Sequence, residues 1–293
     1  MDRLLFSEVT VNSSPGRFRS YLYVPGSNRR MVTKAFESAA DAVVIDLEDA
    51  VAAHDKDSAR ATAAAVVAEI PPKPTFVRIN DLSSGRAQED VEAVVGPGLT
   101  GIRLPKVDTA DAVVRVAGWL ARAGSDARIV PLIESALGVE LAFAIAGAHA
   151  MVTGLAMGEA DLRADLGAAE AALGYARARC VVAARAAGLV EVVQSVYTRL
   201  GDLDGLRAST ELGRATGFTG RSAIHPDQVP VINAVFTPSA AEQAAARAVL
   251  AALPAMAESG VAVTPSGRFV DPAVVRSARA VLDLARLAGS GTE

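Results

Sequence analysis

Short apolar, β-branched runs recur along this chain, each closing on a polar or Gly/Pro cluster and each followed by a longer stretch with helical spacing. Eight are readable, at 21–24, 42–46, 75–79, 101–104, 128–133, 150–153, 190–196 and 222–224. The stretches between them, such as 29–40, 56–69, 110–123, 138–148, 169–187 and 203–216, are long enough for helices of three or more turns. Alternating strands and helices build right-handed βαβ units around a parallel sheet. Eight units in roughly 200 residues predict an α/β fold closed as a (β/α)₈ TIM-type barrel, because doubly wound sheets usually stop at five or six strands and open with a glycine-rich phosphate loop. Here the first strand ends in Val24-Pro25-Gly26-Ser27 instead. The chain runs on through Pro230, Pro238, an alanine-rich stretch at 240–252, a Gly/Ser/Pro segment at 259–267 and a last helical stretch from Asp271. We therefore expect an extended or disordered N-terminal segment at 1–17, the barrel at 18–237, and a C-terminal helical arm or lid at 238–293. There is no internal repeat.

Bulk properties remove several functional classes. The 293 residues are 51% apolar and carry a formal charge of −4 without long single-sign runs, so the basic footprint that nucleic acid demands is missing. No window approaches the roughly 20 uninterrupted apolar residues of a membrane span. The mixed polar and apolar residues at 1–17 do not resemble a signal peptide, and the lone Cys180 excludes an internal disulfide. A cytoplasmic protein is expected.

Catalytic groups of a TIM barrel collect where the strands end and the βα loops begin. Strand 2 ends in Asp46-Leu-Glu48-Asp49, strand 3 in Arg78-Ile-Asn80, strand 4 in Pro105-Lys106 and strand 5 in Glu134-Ser135; Gly158-Glu-Ala-Asp161 follows strand 6, and His225-Pro226 ends strand 8. Each has an ordinary reading. Ser135 suits a helix N-cap, Asp161 and Asp165 suit a helix dipole, Lys106 suits a solvated strand end, and His225 a hydrogen-bonded loop. The excess is harder to dismiss, because parallel strands are apolar throughout while Asp46, Arg78 and Glu134 directly extend apolar runs. Buried charges need partners or a metal. Carboxylates from adjacent strands, an arginine across the rim and no Cys/His cluster suit a hard, oxygen-seeking ion, with magnesium the natural candidate. Zinc would want a compact His/Cys set, and His54, His149 and His225 are scattered.

The ordered set Arg19-Ser-Tyr-Leu-Tyr-Val-Pro-Gly26, Asp46-Leu-Glu-Asp-Ala-Val51, Val77-Arg-Ile-Asn80, Leu104-Pro-Lys-Val107, Leu132-Ile-Glu-Ser135, Gly158-Glu-Ala-Asp-Leu162 with Ala164-Asp-Leu-Gly167, Ile224-His-Pro226 and Phe236-Thr-Pro238 resembles the HpcH/HpaI aldolase and citrate lyase β-subunit superfamily. The likeness is strongest to its malyl-CoA and citramalyl-CoA lyase branch and spans nearly the whole chain. It implies a Mg²⁺-dependent carbon–carbon lyase that cleaves a β-hydroxyacyl-CoA such as malyl-, β-methylmalyl- or citramalyl-CoA into acetyl- or propionyl-CoA and a 2-keto acid, or runs the reverse condensation. A malyl-CoA thioesterase, a citryl carrier-protein lyase and a non-catalytic acyl-CoA-binding barrel are the alternatives. By resemblance, Glu134 and Asp161 are the metal carboxylates, with Glu134 also touching substrate. Arg78 binds the substrate's carboxylate and thioester region, Tyr23, Arg30 and Lys34 hold CoA, and Glu48 and Asp49 position Arg78. Asp271, in Val-Asp-Pro, matches an aspartate that a neighbouring subunit's arm brings over the active site, so a homo-oligomer, a trimer or a multiple of one, is implied. The family often shows acidic residues before and after the Gly-Val-Tyr of strand 7, where this chain has Gln194-Ser195-Val196-Tyr197 and Arg199. These departures bear on which acyl group is taken.

Overall fold

The structure is a computed structural model that describes residues 17–254, 262–267 and 269–289. Positions 1–16, which make up nearly all of the expected N-terminal segment, lie outside the described residues, as do 255–261, 268 and 290–293. Chain contacts divide the described residues into two compact units, Phe18–Pro238 and a second from Ser239 onward.

The larger unit is a closed barrel of eight parallel strands in sequence order. They are β1 (Ser20–Pro25), β2 (Ala42–Asp46), β3 (Thr75–Arg78), β4 (Leu99–Leu104), β5 (Arg128–Ile133), β6 (Gly154–Met157), β7 (Glu191–Gln194) and β8 (Gly220–Ala223). Their helices are α1 (Arg29–Glu37), α2 (Lys56–Ala68), α3 (Ala87–Val94), α4 (Ala110–Arg122), α5 (Ala136–Glu140), α6 (Ala142–Ala146), α7 (Glu159–Leu166), α8 (Gly174–Ala186), α9 (Leu203–Thr216) and α10 (Gln228–Phe236). Period-2 alternation sends Val43, Ile45, Val77, Ile102 and Ile129 outward into the layer under the helices and Tyr21, Val44, Phe76, Val130 and Leu132 inward.

Two elements differ from the sequence expectation. The sixth strand is not the β-branched run at 150–153 but the Gly-Leu-Ala-Met run that follows it. Position 154 tolerates only glycine there, since a Cβ would lie 2.7 Å from the Cβ of Glu191 on the paired strand. The helical stretch expected at 138–148 is broken into α5 and α6 at Leu141.

The inward layer beneath the barrel mouth carries charge. Arg103 is fully buried with its guanidinium 4.3 Å from the centre of the Tyr21 ring and 5.2 Å from that of Phe76. Glu191 Oε1 accepts the Tyr21 hydroxyl at 2.5 Å and sits 3.6 Å from Arg103. Burial first, then Glu191, pushes the Tyr21 hydroxyl well above its ordinary range. These buried side chains fill the barrel interior beneath the mouth, so the mouth ends in a pocket and not a pore.

In the second unit, α11 (Ala240–Ala251), a two-stranded antiparallel ribbon of β9 (Ala262–Val263) and β10 (Phe269–Val270), and α12 (Pro272–Gly289) share a small apolar core of Ala246, Val249, Ala262, Val270, Val275 and Ala278. The first strand of the ribbon lies within the Gly/Ser/Pro segment at 259–267. No helix among the described residues is long and apolar enough to cross a membrane.

Candidate active site

The mouth of the barrel is built around one arginine. β2 ends at Asp46 and the strand register sets it beside Arg78, the last residue of β3. Asp46 accepts the backbone N–H groups of Glu48 (2.9 Å) and Ala50 (3.0 Å), which folds the loop after β2 back over the strand end. The same carboxylate takes Arg78 in a two-pronged grip, Nε to Oδ1 at 2.7 Å and Nη2 to Oδ2 at 2.6 Å. Arg78 Nη1 lies 2.8 Å from Glu48 Oε2 and 3.2 Å from Asp49 Oδ2. Burial pulls this guanidinium down, but Asp46 outweighs it and holds the pKa above the ordinary arginine value. Arg78 is thus fixed in place and charged.

Lys106 bridges this cluster to Glu134. Its φ of 52° is left-handed, a conformation costly for a residue with a Cβ. That turn aims the Lys106 N–H at Glu134 Oε1, 2.5 Å away, while Nζ reaches Glu48 Oε1 at 2.8 Å. Glu134, just past β5, is 5% exposed. Burial, with the charges of Asp161 and Glu48 adding to it, pushes its carboxyl up to about 8 against the pull of the Lys106 N–H. Asp161 lies in the first turn of α7 and shares a cavity of about 410 Å³ with Glu134. Gly158 lets the two loops approach, because a Cβ there would stand 2.2 Å from Glu134 Oε2. Tyr23, Met31, Asp46, Asp49, Arg78, Leu132, Ser195 and Ser222 also line the cavity.

Five carboxylates (Asp46, Glu48, Asp49, Glu134 and Asp161) therefore face three cations: Arg78, Lys106, and Lys56, which donates to the Leu47 and Glu48 carbonyls behind the cluster. Among the described residues neither Glu134 nor Asp161 has a cationic side chain in salt-bridge reach. Nor do three His, Cys, Asp or Glu side chains anywhere among them form a ligand cluster. A surplus of negative charge, carried by two carboxylates that share one cavity, fits a dication that keeps most of its coordination shell for water and substrate.

The other residues singled out by sequence are placed as follows. Tyr23 lines the cavity, with its ring centre 5.4 Å from the Arg78 guanidinium. Arg30 and Lys34 lie exposed one turn apart on α1, the helix whose Met31 lines the cavity. Glu48 and Asp49 both contact Arg78, yet Asp46 is its main partner, a residue that the sequence marked as a charge extending an apolar strand without naming its partner. Ser135 is an N-cap, accepting from Gly138 N at 2.9 Å, and His225 accepts the Asp227 N–H. Asp271 belongs to the second unit, where it caps α12 by accepting Val274 N at 2.8 Å. Of the departures at and after strand 7, Gln194 and Arg199 do not line the cavity, whereas Ser195 and Val196 do: the Gln194 amide donates to Ser209 O on α9, and Arg199 lies over the Tyr197 ring.

The family model for HpcH/HpaI aldolase/citrate lyase matches residues 19–226. The chain belongs to that family. It is 39% identical to a (3S)-malyl-CoA thioesterase of Cereibacter sphaeroides over 277 residues, 90% of this chain and 93% of the relative. It is 35% identical to the citrate lyase β subunit of Escherichia coli over 288 residues, 92% of this chain and 94% of the relative. Among solved structures it resembles the protein CitE of Mycobacterium tuberculosis in complex with magnesium, acetoacetate and coenzyme A, at 30% identity and a TM-score of 0.76 over 92% of this chain and 99% of that one. The (β/α)₈ barrel is the architecture of that neighbour as well.

Proposed function

We propose that this family member is a Mg²⁺-dependent carbon–carbon lyase that cleaves a β-hydroxyacyl-CoA, of the malyl-, β-methylmalyl- or citramalyl-CoA type, to an acyl-CoA and a 2-keto acid, or condenses the two. The observation that carries it is the pair Glu134 and Asp161 in one cavity, without a cation of their own, facing a mouth whose arginine is locked by Asp46. The magnesium and coenzyme A bound by the CitE neighbour support the same reading. Glu134 and Asp161 would hold the ion, which when bound supplies Lewis-acid polarisation of the substrate's oxygens.

The chain's own groups do the rest. Retro-Claisen cleavage leaves negative charge on the thioester carbonyl oxygen as the carbon–carbon bond breaks. Arg78, gripped by Asp46 on one side and flanked by Glu48 and Asp49 on the other, needs no reorganisation to meet that charge. Lys106 restrains Glu134 through its backbone and Glu48 through its ammonium, so the two halves of the mouth keep register. Arg30 and Lys34, exposed beside the cavity, suit the phosphates of CoA, and Tyr23 its pantetheine end. For the proton carried by the hydroxyl we assign Asp271, delivered by the arm of a neighbouring subunit in a homo-oligomer. A cytoplasmic setting agrees with a CoA ester substrate and with the buried, unpaired Cys180.

The test is a panel of malyl-, β-methylmalyl-, citramalyl-, 3-hydroxy-3-methylglutaryl- and citryl-CoA with added Mg²⁺, scoring keto acid and free thiol together. Keto acid formed without thiol supports the lyase. The similarity to a thioesterase favours a second reading, hydrolysis at the same site; thiol release without glyoxylate or pyruvate would establish it in place of the lyase.

A further inference from the structure

The carboxylate of Asp161 rides on α7, and α7 is poorly equipped to place itself. It has eight residues, too few to be stable alone. Of these only Glu159 and Leu162 are buried, so a single apolar side chain anchors it. The remaining attachments are polar. Gly158 N donates to Ile133 O at 3.0 Å, and Asp165 Oδ2 accepts Ala136 N at 2.7 Å. Glu159, the first helical residue, makes the most of them. Its N–H donates to Ser195 Oγ at the end of β7 (3.1 Å), and Arg177 on α8 grips its carboxylate with both prongs, Nε to Oε1 at 2.9 Å and Nη2 to Oε2 at 2.6 Å. Both partners of this ion pair are buried, and Arg177 is steadied in turn by Glu170, 3.4 Å away. Neither Glu159 nor Arg177 lines the cavity.

We propose that Glu159 and Arg177 are positioning residues: their two-pronged pair sets the first turn of α7 and thereby holds the Asp161 carboxylate where it and Glu134 can share one cation. This rests on the reading that Glu134 and Asp161 are the magnesium carboxylates. A side chain that orients a metal ligand from behind commonly governs affinity by 10- to 100-fold, and the two-pronged geometry is one that lysine does not reproduce. A buried ion pair that merely stabilised the fold would leave affinity alone. Arg19 and Asp41 offer a half-buried comparison, since they are joined by the same two-pronged geometry (2.9 and 2.7 Å) at the opposite, N-terminal end of the barrel.

The experiment measures Mg²⁺ dissociation constants by calorimetry, with melting temperatures alongside, for the full chain and for Glu134→Ala, Asp161→Ala, Arg177→Lys, Glu159→Gln and Arg19→Lys. We expect Arg177→Lys and Glu159→Gln each to weaken Mg²⁺ binding about 10- to 100-fold, with turnover recovered by raising Mg²⁺. Their combination should add little to either alone, as for two ends of one interaction. Arg19→Lys should lower the melting temperature and leave affinity within about twofold of the unaltered chain, as a purely structural pair would. If Arg177→Lys and Glu159→Gln bind Mg²⁺ like the unaltered chain while Glu134→Ala and Asp161→Ala do not, the positioning role is overturned and the metal assignment stands. If Glu134→Ala and Asp161→Ala also bind normally, both fall together.

Discussion

At Glu134 the ionised form is opposed by burial and by the neighbouring charges of Asp161 and Glu48, and the carboxyl is pushed up to about 8. Magnesium takes only the ionised form, so proton and metal compete. We expect apparent Mg²⁺ affinity to fall up to about tenfold per unit as pH drops below about 8 and to level off above it, a profile that calorimetry from pH 6 to 9 resolves. The sign for stability follows from the same shift. Between the ordinary value of 4.5 and about 8 the folded state keeps a proton that the unfolded chain releases, so the metal-free protein loses stability as pH rises through that window. Added Mg²⁺ should restore the melting temperature most at the upper end. Arg78 argues in the opposite direction, for permanence of charge. Arg78→Lys keeps the charge and loses the grip of Asp46, and we expect kcat/KM at saturating Mg²⁺ to fall about 10²- to 10³-fold, as when one preorganised donor to a developing oxyanion is removed.

Among the elements, the β6–α7 corner depends most on backbone. Gly158→Ala places a methyl 2.2 Å from Glu134 Oε2 and 2.6 Å from its Cβ, and the second contact lies too near the main chain to swing aside. We expect a loss of about 1–3 kcal/mol in stability from overpacking together with weaker Mg²⁺ binding. Gly174→Ala provides contrast: it opens α8, has an αR backbone, and meets nothing within 4 Å. That substitution should be neutral or stabilise by up to about 1 kcal/mol, and thermal melts of the two variants separate the cases. The same corner is where the strand was misplaced from sequence. Val152 and Thr153 have the higher strand propensity, but small Gly154 and Ala156 fit the inside of the barrel against β5 and β7. Packing against both neighbours overrode the local preference.

For the whole molecule, the proposed delivery of Asp271 by a neighbouring subunit makes a prediction that no single-chain site makes. Asp271→Ala and Glu134→Gln should each be inactive alone, and co-expressed mixtures should regain part of the activity, since some mixed sites hold both native residues. Activity staying at the level of the separate variants, with mixed oligomers demonstrated by mass, would sink the shared site. Metal removal acts at this scale too. EDTA should abolish turnover and lower the melting temperature, and Mg²⁺ should reverse both, because a ligand that binds only the folded state stabilises it.

Periodicity alone determined the barrel: eight short apolar runs separated by helical stretches leave few other ways to bury their surfaces, and the motifs at strand ends placed Asp46, Arg78, Glu134 and Asp161 around one mouth. Family likeness, and not spacing, supplied their roles. What the linear chain did not reveal were the partnerships across it. Asp46 as the main grip on Arg78, the left-handed Lys106 that aims an N–H at Glu134 and the Arg103–Glu191–Tyr21 cluster all join residues on different βα units, and the Glu159–Arg177 pair joins two helices of the one β6–β7 connection. A buried charge is recognisable in sequence as an anomaly in an apolar strand, but its partner is chosen by register and by barrel closure. Those are set by packing of the whole sheet, which no local stretch encodes.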